Sequence, residues 1–126
     1  MPLADQLRFD DKGLIPAIIF DAADHQPLTL CYMDRAALEK TLETGLVHVF
    51  RRSKGRVMLK GETSGHTQRV VDVFADCEGN SLAIAVEQKV AACHAGYYTC
   101  YYRRYDKAKG TLEAQGEPVF DPGKVY

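Results

Sequence analysis

Thiols occur at four positions of this chain, Cys31, Cys77, Cys93 and Cys100. Cys93 follows Cys77 by sixteen residues, and Cys100 follows Cys93 by seven. Thiolates are soft ligands for zinc, and clustered cysteines in a reducing compartment read as metal ligands or catalytic groups. No C-x-x-C pair is present, which excludes a ribbon or finger pattern. By spacing alone a plainer reading stays open, in which each cysteine is a small buried hydrophobe. Cys31 suits that plainer reading, because it lies in the apolar run Leu28-Thr29-Leu30-Cys31-Tyr32-Met33.

A second constellation lies between residues 49 and 69. Arg51, Arg52, Lys54, Arg56, Lys60 and Arg69 stand there against Glu62 alone, a local balance of +5, whereas residues 1 to 45 carry a balance of −4. A solvated basic face would account for the charge by itself. The same block contains Gly61-Glu62-Thr63-Ser64-Gly65-His66-Thr67-Gln68. Glycines let backbone N–H groups approach a ligand, hydroxyls donate, and lysine or arginine supplies charge, so the block reads as a site for a phosphorylated ligand.

These groups need a scaffold, and 126 residues allow one domain, spanning 1–126. Apolar residues at 46% and charged residues at 26% are globular values. The net charge of −1 argues against a duplex-DNA partner. The longest apolar run, Leu14 to Phe20 with Pro16 inside it, is too short to cross a membrane. The acidic first twenty residues do not resemble a secretory signal, so a cytoplasmic protein is expected.

Ile15 to Phe20 and Leu28 to Met33 read as a hairpin. Asp34 is a suitable N-cap for a helix over Arg35 to Thr44, ended by Gly45, with Ala37, Leu38 and Leu42 on its apolar face. Strands are expected at Val47–Arg51 and Val57–Lys60. Gln68–Asp76 and Ser81–Gln88 read as a hairpin turning at Glu78-Gly79-Asn80, and a further strand is expected at Tyr97–Tyr105. Tyr97, Tyr98, Tyr101, Tyr102 and Tyr105 could stack on a purine, but most of them are expected to pack from that strand at a dimer core. The stretch after Lys107 is polar and reads as partly irregular. The sum is a small α+β domain dominated by antiparallel strands, with one main helix.

The segments Gly13-Leu14-Ile15-Pro16-Ala17-Ile18, Tyr32-Met33, Leu38 to Gly45 and Lys60 to Gln68 occur in the order and form seen in phosphoribosyl-AMP cyclohydrolases. Asp76-Cys77, Ala92-Cys93-His94 and Cys100-Tyr101-Tyr102-Arg103 continue the match. The chain resembles that family over roughly residues 9–104. The resemblance implies hydrolysis of the N1–C6 bond of the adenine ring in 1-(5-phosphoribosyl)-AMP, in histidine biosynthesis. It also implies a zinc- and magnesium-dependent homodimer whose active sites lie between subunits.

On these residues the resemblance places zinc on Cys77, Cys93 and Cys100. Three thiolates leave the fourth tetrahedral position open, as catalytic zinc requires. His94, beside Cys93, is the expected general base, because imidazole titrates near neutral pH. Substrate contacts fall on Arg51, Lys60, Glu62, Thr63, Ser64, Gly65, His66, Gln68 and Arg103. The family's magnesium run D-x-D-x-D appears here as Asp76-Cys77-Glu78-Gly79-Asn80. An amide replaces the third acid, so a weaker magnesium site on Asp76, Glu78 and Asn80 is expected.

Two further departures concern phosphate. The family often shows W-S-R-S-R where this chain reads Phe50-Arg51-Arg52-Ser53-Lys54, and basic residues before the last cysteine are replaced by Gly96-Tyr97-Tyr98-Thr99. Two rivals follow. One is a paralogue opening another nucleotide amidine, or running on zinc alone. The other is a non-enzymatic, zinc-stabilised nucleotide- or RNA-binding module, which needs a fourth ligand from Cys31 or His94.

Overall fold

A computed structural model describes residues 2–126. Its frame is a four-stranded sheet in the order β2-β1-β6-β5. β1 (Ile15–Asp21) and β2 (Pro27–Met33) form the expected antiparallel hairpin. The Asp21 carboxylate, which accepts from Ala23 N at 2.8 Å, helps shape the turn between them. β5 (Gln68–Ala75) and β6 (Leu82–Gln88) form the second hairpin. β1 and β6 run parallel, pairing Ala17 with Leu82 through Asp21 with Val86. Antiparallel pairs still dominate, but the sheet is mixed at its centre.

Helix α1 covers Arg35–Thr44. Asp34 caps it by accepting from Ala37 N at 2.7 Å, and Gly45 ends it in the left-handed conformation at φ +75°. Its buried face is Ala37, Leu38 and Thr41; Leu42 is 46% exposed, contrary to expectation. Thr41 takes the place expected for Leu42 because its hydroxyl is satisfied inside, donating to Ala37 O and accepting from His48 N. The core packs this face with Ile15, Ala17, Ile19, Leu28, Met33, Leu82, Ile84 and Val86 from the sheet.

A separate hairpin, β3 (His48–Arg51) and β4 (Arg56–Leu59), carries the basic block. The expected strand over Tyr97–Tyr105 is corrected: only Arg103–Asp106 is extended, as β7. Residues 89–102 form an irregular loop, in which Tyr97 and Tyr102 stack face to face at 3.8 Å. Face-to-face stacking of side chains five apart requires a bent backbone, which a continuous strand does not provide. The polar stretch beyond Lys107 also holds more structure than expected. β8 (Thr111–Ala114) pairs with β7, and Pro122–Lys124 make a 3-10 turn capped by Asp121.

The outer face of the main sheet is apolar and open. Leu30, Ile18, Ala83 and Phe74 follow one another across all four strands in one register row. Leu30 is 49%, Ile18 39% and Phe74 52% exposed. No helix of the described residues is long and apolar enough to cross a membrane.

Candidate active site

A cleft of about 1310 Å³ runs between the β2 edge and the β3–β4 hairpin. Most of the residues singled out in the sequence converge on it. Arg51 comes from β3, and Lys60, Glu62, Thr63 and Ser64 from the turn after β4. His66 and Gln68 come from the return into β5, and His94 and Cys100 from the loop after β6.

The Gly61–Gln68 segment is a tight turn closed on itself. Glu62 N donates to Leu59 O at 3.0 Å, Gly65 N to Gly61 O at 2.8 Å and Thr67 N to Gly65 O at 3.0 Å. His66 N donates to the Ser64 hydroxyl at 3.2 Å. These four N–H groups are already bonded within the turn, so any backbone contact to a phosphate would come from the remaining N–H groups of the segment. The Thr63 and Ser64 hydroxyls and the cations of Arg51, Arg52, Lys54 and Lys60 line the cleft and suit an anion. Gly65 belongs to the turn at φ +77° but does not line the cleft.

Two polar atoms at the cleft are buried without a partner among the described residues, His66 Nδ1 and Gln68 Oε1. Gln68 is fully buried, and its amide nitrogen donates to Gln88 Oε1 at 2.8 Å. Buried polar atoms normally find partners, and leaving one without costs about 1–3 kcal/mol. Such residues at a cleft mark a place where a ligand or ordered water completes the bonding.

The thiols divide into two groups. The Cys100 sulfur lies within hydrogen-bonding reach of Cys93 and of the Thr29 side chain. Burial pushes the Cys100 thiol above its ordinary range, with the Thr29 hydrogen bond opposing that rise. Cys100 N donates to Leu28 O at 2.7 Å, fixing the loop to β2, and Ala95 N reaches Cys93 Sγ at 3.4 Å. The Lys60 ammonium donates to Ala92 O at 3.2 Å. From there its charge opposes the rise at both Cys100 and Cys31. Sulfur donors favour soft cations, and two cysteine sulfurs this close could serve as two of a zinc ion's ligands.

Cys77 is elsewhere. It is exposed in the β5–β6 turn, at the far end of β6 from Cys93. Seven extended residues separate those ends by roughly 20 Å. Among the described residues of one chain, no group of three or more His, Cys, Asp or Glu could hold a metal. Asp76, Glu78 and Asn80 share the turn with Cys77 and lie outside the cleft of their own chain, as does Arg103 on β7. Cys31 sits partly exposed on β2 and lines the cleft, its thiol pushed up to about 12 by burial.

Some cleft residues had no distinguishing signal in the sequence. Arg52 lies 4.1 Å over the Tyr32 ring, and both line the cleft. Arg52 could be read only as one cation among six. Pro122 and Tyr126 also line it, brought back by the segment read as partly irregular.

This arrangement agrees with the comparisons. The family model for phosphoribosyl-AMP cyclohydrolase matches residues 29–102. A phosphoribosyl-AMP cyclohydrolase of Pelotomaculum thermopropionicum is 46% identical over 122 residues, covering 97% of this chain and 94% of that protein. One of Methanosarcina barkeri is 44% identical over 128 residues, with 98% and 95% covered. A histidine biosynthesis bifunctional protein of Thermoanaerobacter pseudethanolicus is 46% identical over 121 residues. That match covers 96% of this chain and 55% of the relative, so the chain spans about half its length. With the Gly61–Gln68 turn, the thiol pair and the cleft between them, these matches assign the chain to the phosphoribosyl-AMP cyclohydrolase family of enzymes.

Proposed function

We propose that the protein opens the adenine ring of 1-(5-phosphoribosyl)-AMP at N1–C6, a step of histidine biosynthesis, in a homodimer with zinc at shared sites. The observation that carries this reading is the split of the thiols. Cys93 and Cys100 adjoin, Cys100 at the wall of a cleft fit for phosphates, while Cys77 sits at the opposite end of β6. One chain supplies two ligands, and a second copy supplies the third. The apolar row Leu30, Ile18, Ala83 and Phe74 offers that copy a self-complementary sheet face.

Cys93 and Cys100 of one chain with Cys77 of a second copy would hold the zinc, which when bound would lower the pKa of a water toward neutrality. Arg51, Lys60, Thr63 and Ser64 hold substrate phosphate, which sets the purine against the thiol end of the cleft. His94, exposed at the cleft wall, accepts the proton lost by the attacking water and returns it to N1. Attack at C6 and departure of N1 turn C6 into a carboxamide carbonyl. Asp76 and Glu78, with Asn80, would hold a weaker magnesium that would help neutralise substrate phosphate.

The test is a steady-state assay with phosphoribosyl-AMP and zinc-loaded protein, following ring opening by absorbance. Turnover is expected, and a zinc-loaded dimer without turnover would exclude this substrate.

A further inference from the structure

Residues 118–126 lie beyond the stretch that the family model matches, which ends at residue 102. We infer that this segment is a built wall of the substrate cleft, in which Phe120 positions the His66 imidazole and Tyr126 bounds the bound nucleotide. The inference rests on the proposed function and adds a positioning residue and a wall to it.

The segment is tied to the loop that carries the thiols. Val119 N donates to Gly96 O at 2.8 Å. A Cβ on Gly96 would lie 2.8 Å from Phe120 O and 3.3 Å from side-chain atoms of Pro118 and Pro122. Glycine at 96, at φ +101°, therefore gives the segment the room to lie against this loop. From there Phe120 meets the His66 ring edge-to-face, with centroids 4.7 Å apart and planes at 82°. Tyr126 packs on Phe120 at 6.3 Å, and Tyr126 and Pro122 line the cleft with His66 and His94. The closing turn is ordered from within. Asp121 accepts from Gly123 N at 2.9 Å, and Tyr126 N donates to Pro122 O at 3.0 Å.

The second observation is at His66 itself. The residue is 9% exposed, and its Nδ1 is buried without a partner. With that nitrogen unbonded, no side-chain hydrogen bond from Nδ1 fixes the ring. The contact the structure does show on the ring is with Phe120, packed edge-to-face against it. An edge-to-face contact sets the angle of an imidazole as well as its place.

The experiment compares Phe120→Ala, Phe120→Leu, Phe120→Tyr and Tyr126→Ala in full-length, zinc-loaded protein. Two readouts are used: KM against kcat for phosphoribosyl-AMP, and the His66 imidazole resonances in 1H–15N spectra. Phe120→Ala and Phe120→Leu should raise KM by about threefold to tenfold with kcat within about twofold, as lost ground-state positioning does. Both should shift the His66 signals, and Phe120→Tyr should restore KM and signals together. Tyr126→Ala, at a residue 57% exposed, should raise KM without lowering thermal stability. A Phe120→Ala protein with wild-type KM and wild-type His66 resonances would overturn the inference. Should that variant not fold, wild-type KM in Tyr126→Ala overturns it instead. Should the wild type itself not turn over phosphoribosyl-AMP, the reaction assigned above fails, while the His66 signals still decide whether Phe120 sets the ring.

Discussion

The Asp76 carboxylate accepts the backbone N–H of Asn80 at 2.9 Å and closes the β5–β6 turn on itself. The Asn80 side-chain amide also satisfies its hydrogen bonding by turning its nitrogen toward that carboxylate. The Asn80 N–H is the main cause holding the Asp76 carboxyl below the ordinary carboxylate range, against some desolvation. The turn is therefore closed without a cation. Asn80→Asp should set a second carboxylate against the first, loosening the turn without metal and tightening it with magnesium. A magnesium titration of activity at fixed zinc should show a lower midpoint in the variant. Equal midpoints would mean that the amide is not the weak point. Activity indifferent to magnesium in both proteins would favour an enzyme that runs on zinc alone.

Zinc content should follow the thiols unequally. Protein purified without added metal is expected to hold about one zinc per chain. Cys77→Ser, Cys93→Ser and Cys100→Ser should each lose it, and Cys31→Ser should keep it, by elemental analysis. Mixing Cys77→Ser with Cys93→Ser chains should restore activity, since each mixed dimer regains one intact site. Random exchange at equal amounts predicts recovery of about a quarter of the wild-type sites. No recovery from freely exchanging chains would rule out a shared site.

Local rules found α1, because Asp34 and Gly45 are strong stop signals at its ends. Alternation found β6, because Leu82, Ile84 and Val86 all face the core. Periodicity favoured Leu42 over Thr41, because it does not see that a hydroxyl can be satisfied by Ala37 O and His48 N. The Gly61–Gln68 turn was legible as chemistry, whereas the internal bonding of its Glu62, Gly65, His66 and Thr67 N–H groups was not, since it depends on the fold of the turn. The parallel pairing of β1 with β6 and the return of Phe120 to His66 join residues far apart in sequence. No local pattern carries such contacts.

The open sheet face makes a prediction about assembly. Ile18→Glu would put a charge at the centre of the row between Leu30 and Ala83. Burying an unpaired carboxylate there costs several kcal/mol or forces its protonation. Sedimentation velocity should find the wild type dimeric and the variant shifted to monomer. If the proposed shared site is correct, zinc should fall with the dimer, because Cys77 of the second copy would leave with it. A dimeric Ile18→Glu protein with full zinc would place the interface on another face.

His94 is the proton carrier of the proposed reaction, and it is exposed at the cleft wall next to a buried thiol. His94→Ala should lower kcat by about 10²–10⁴-fold while zinc content stays at the wild-type value. Wild-type turnover would remove His94 from the mechanism. Loss of zinc would instead make it a ligand that closes the metal shell, which is the arrangement of a structural site.

Gly61 tests whether the turn's geometry, as distinct from its charges, makes the phosphate end of the cleft. The residue sits at φ +87°, and a Cβ there would lie 2.6 Å from the backbone carbonyl carbon and oxygen of His66 and 2.8 Å from Thr67 N. Those neighbours are backbone and cannot rotate away as a side-chain tip could. Gly61→Ala must therefore open the turn, breaking the Gly65 N to Gly61 O bond and moving Thr63, Ser64 and His66 together. Backbone strain of this kind costs about 1–3 kcal/mol, so the unfolding midpoint in denaturant should fall measurably. KM should rise more than it does in Thr63→Ala, which removes one hydroxyl and leaves the turn intact. A Gly61→Ala enzyme with normal stability and normal KM would show that the turn tolerates opening, and that its cations alone hold the phosphate.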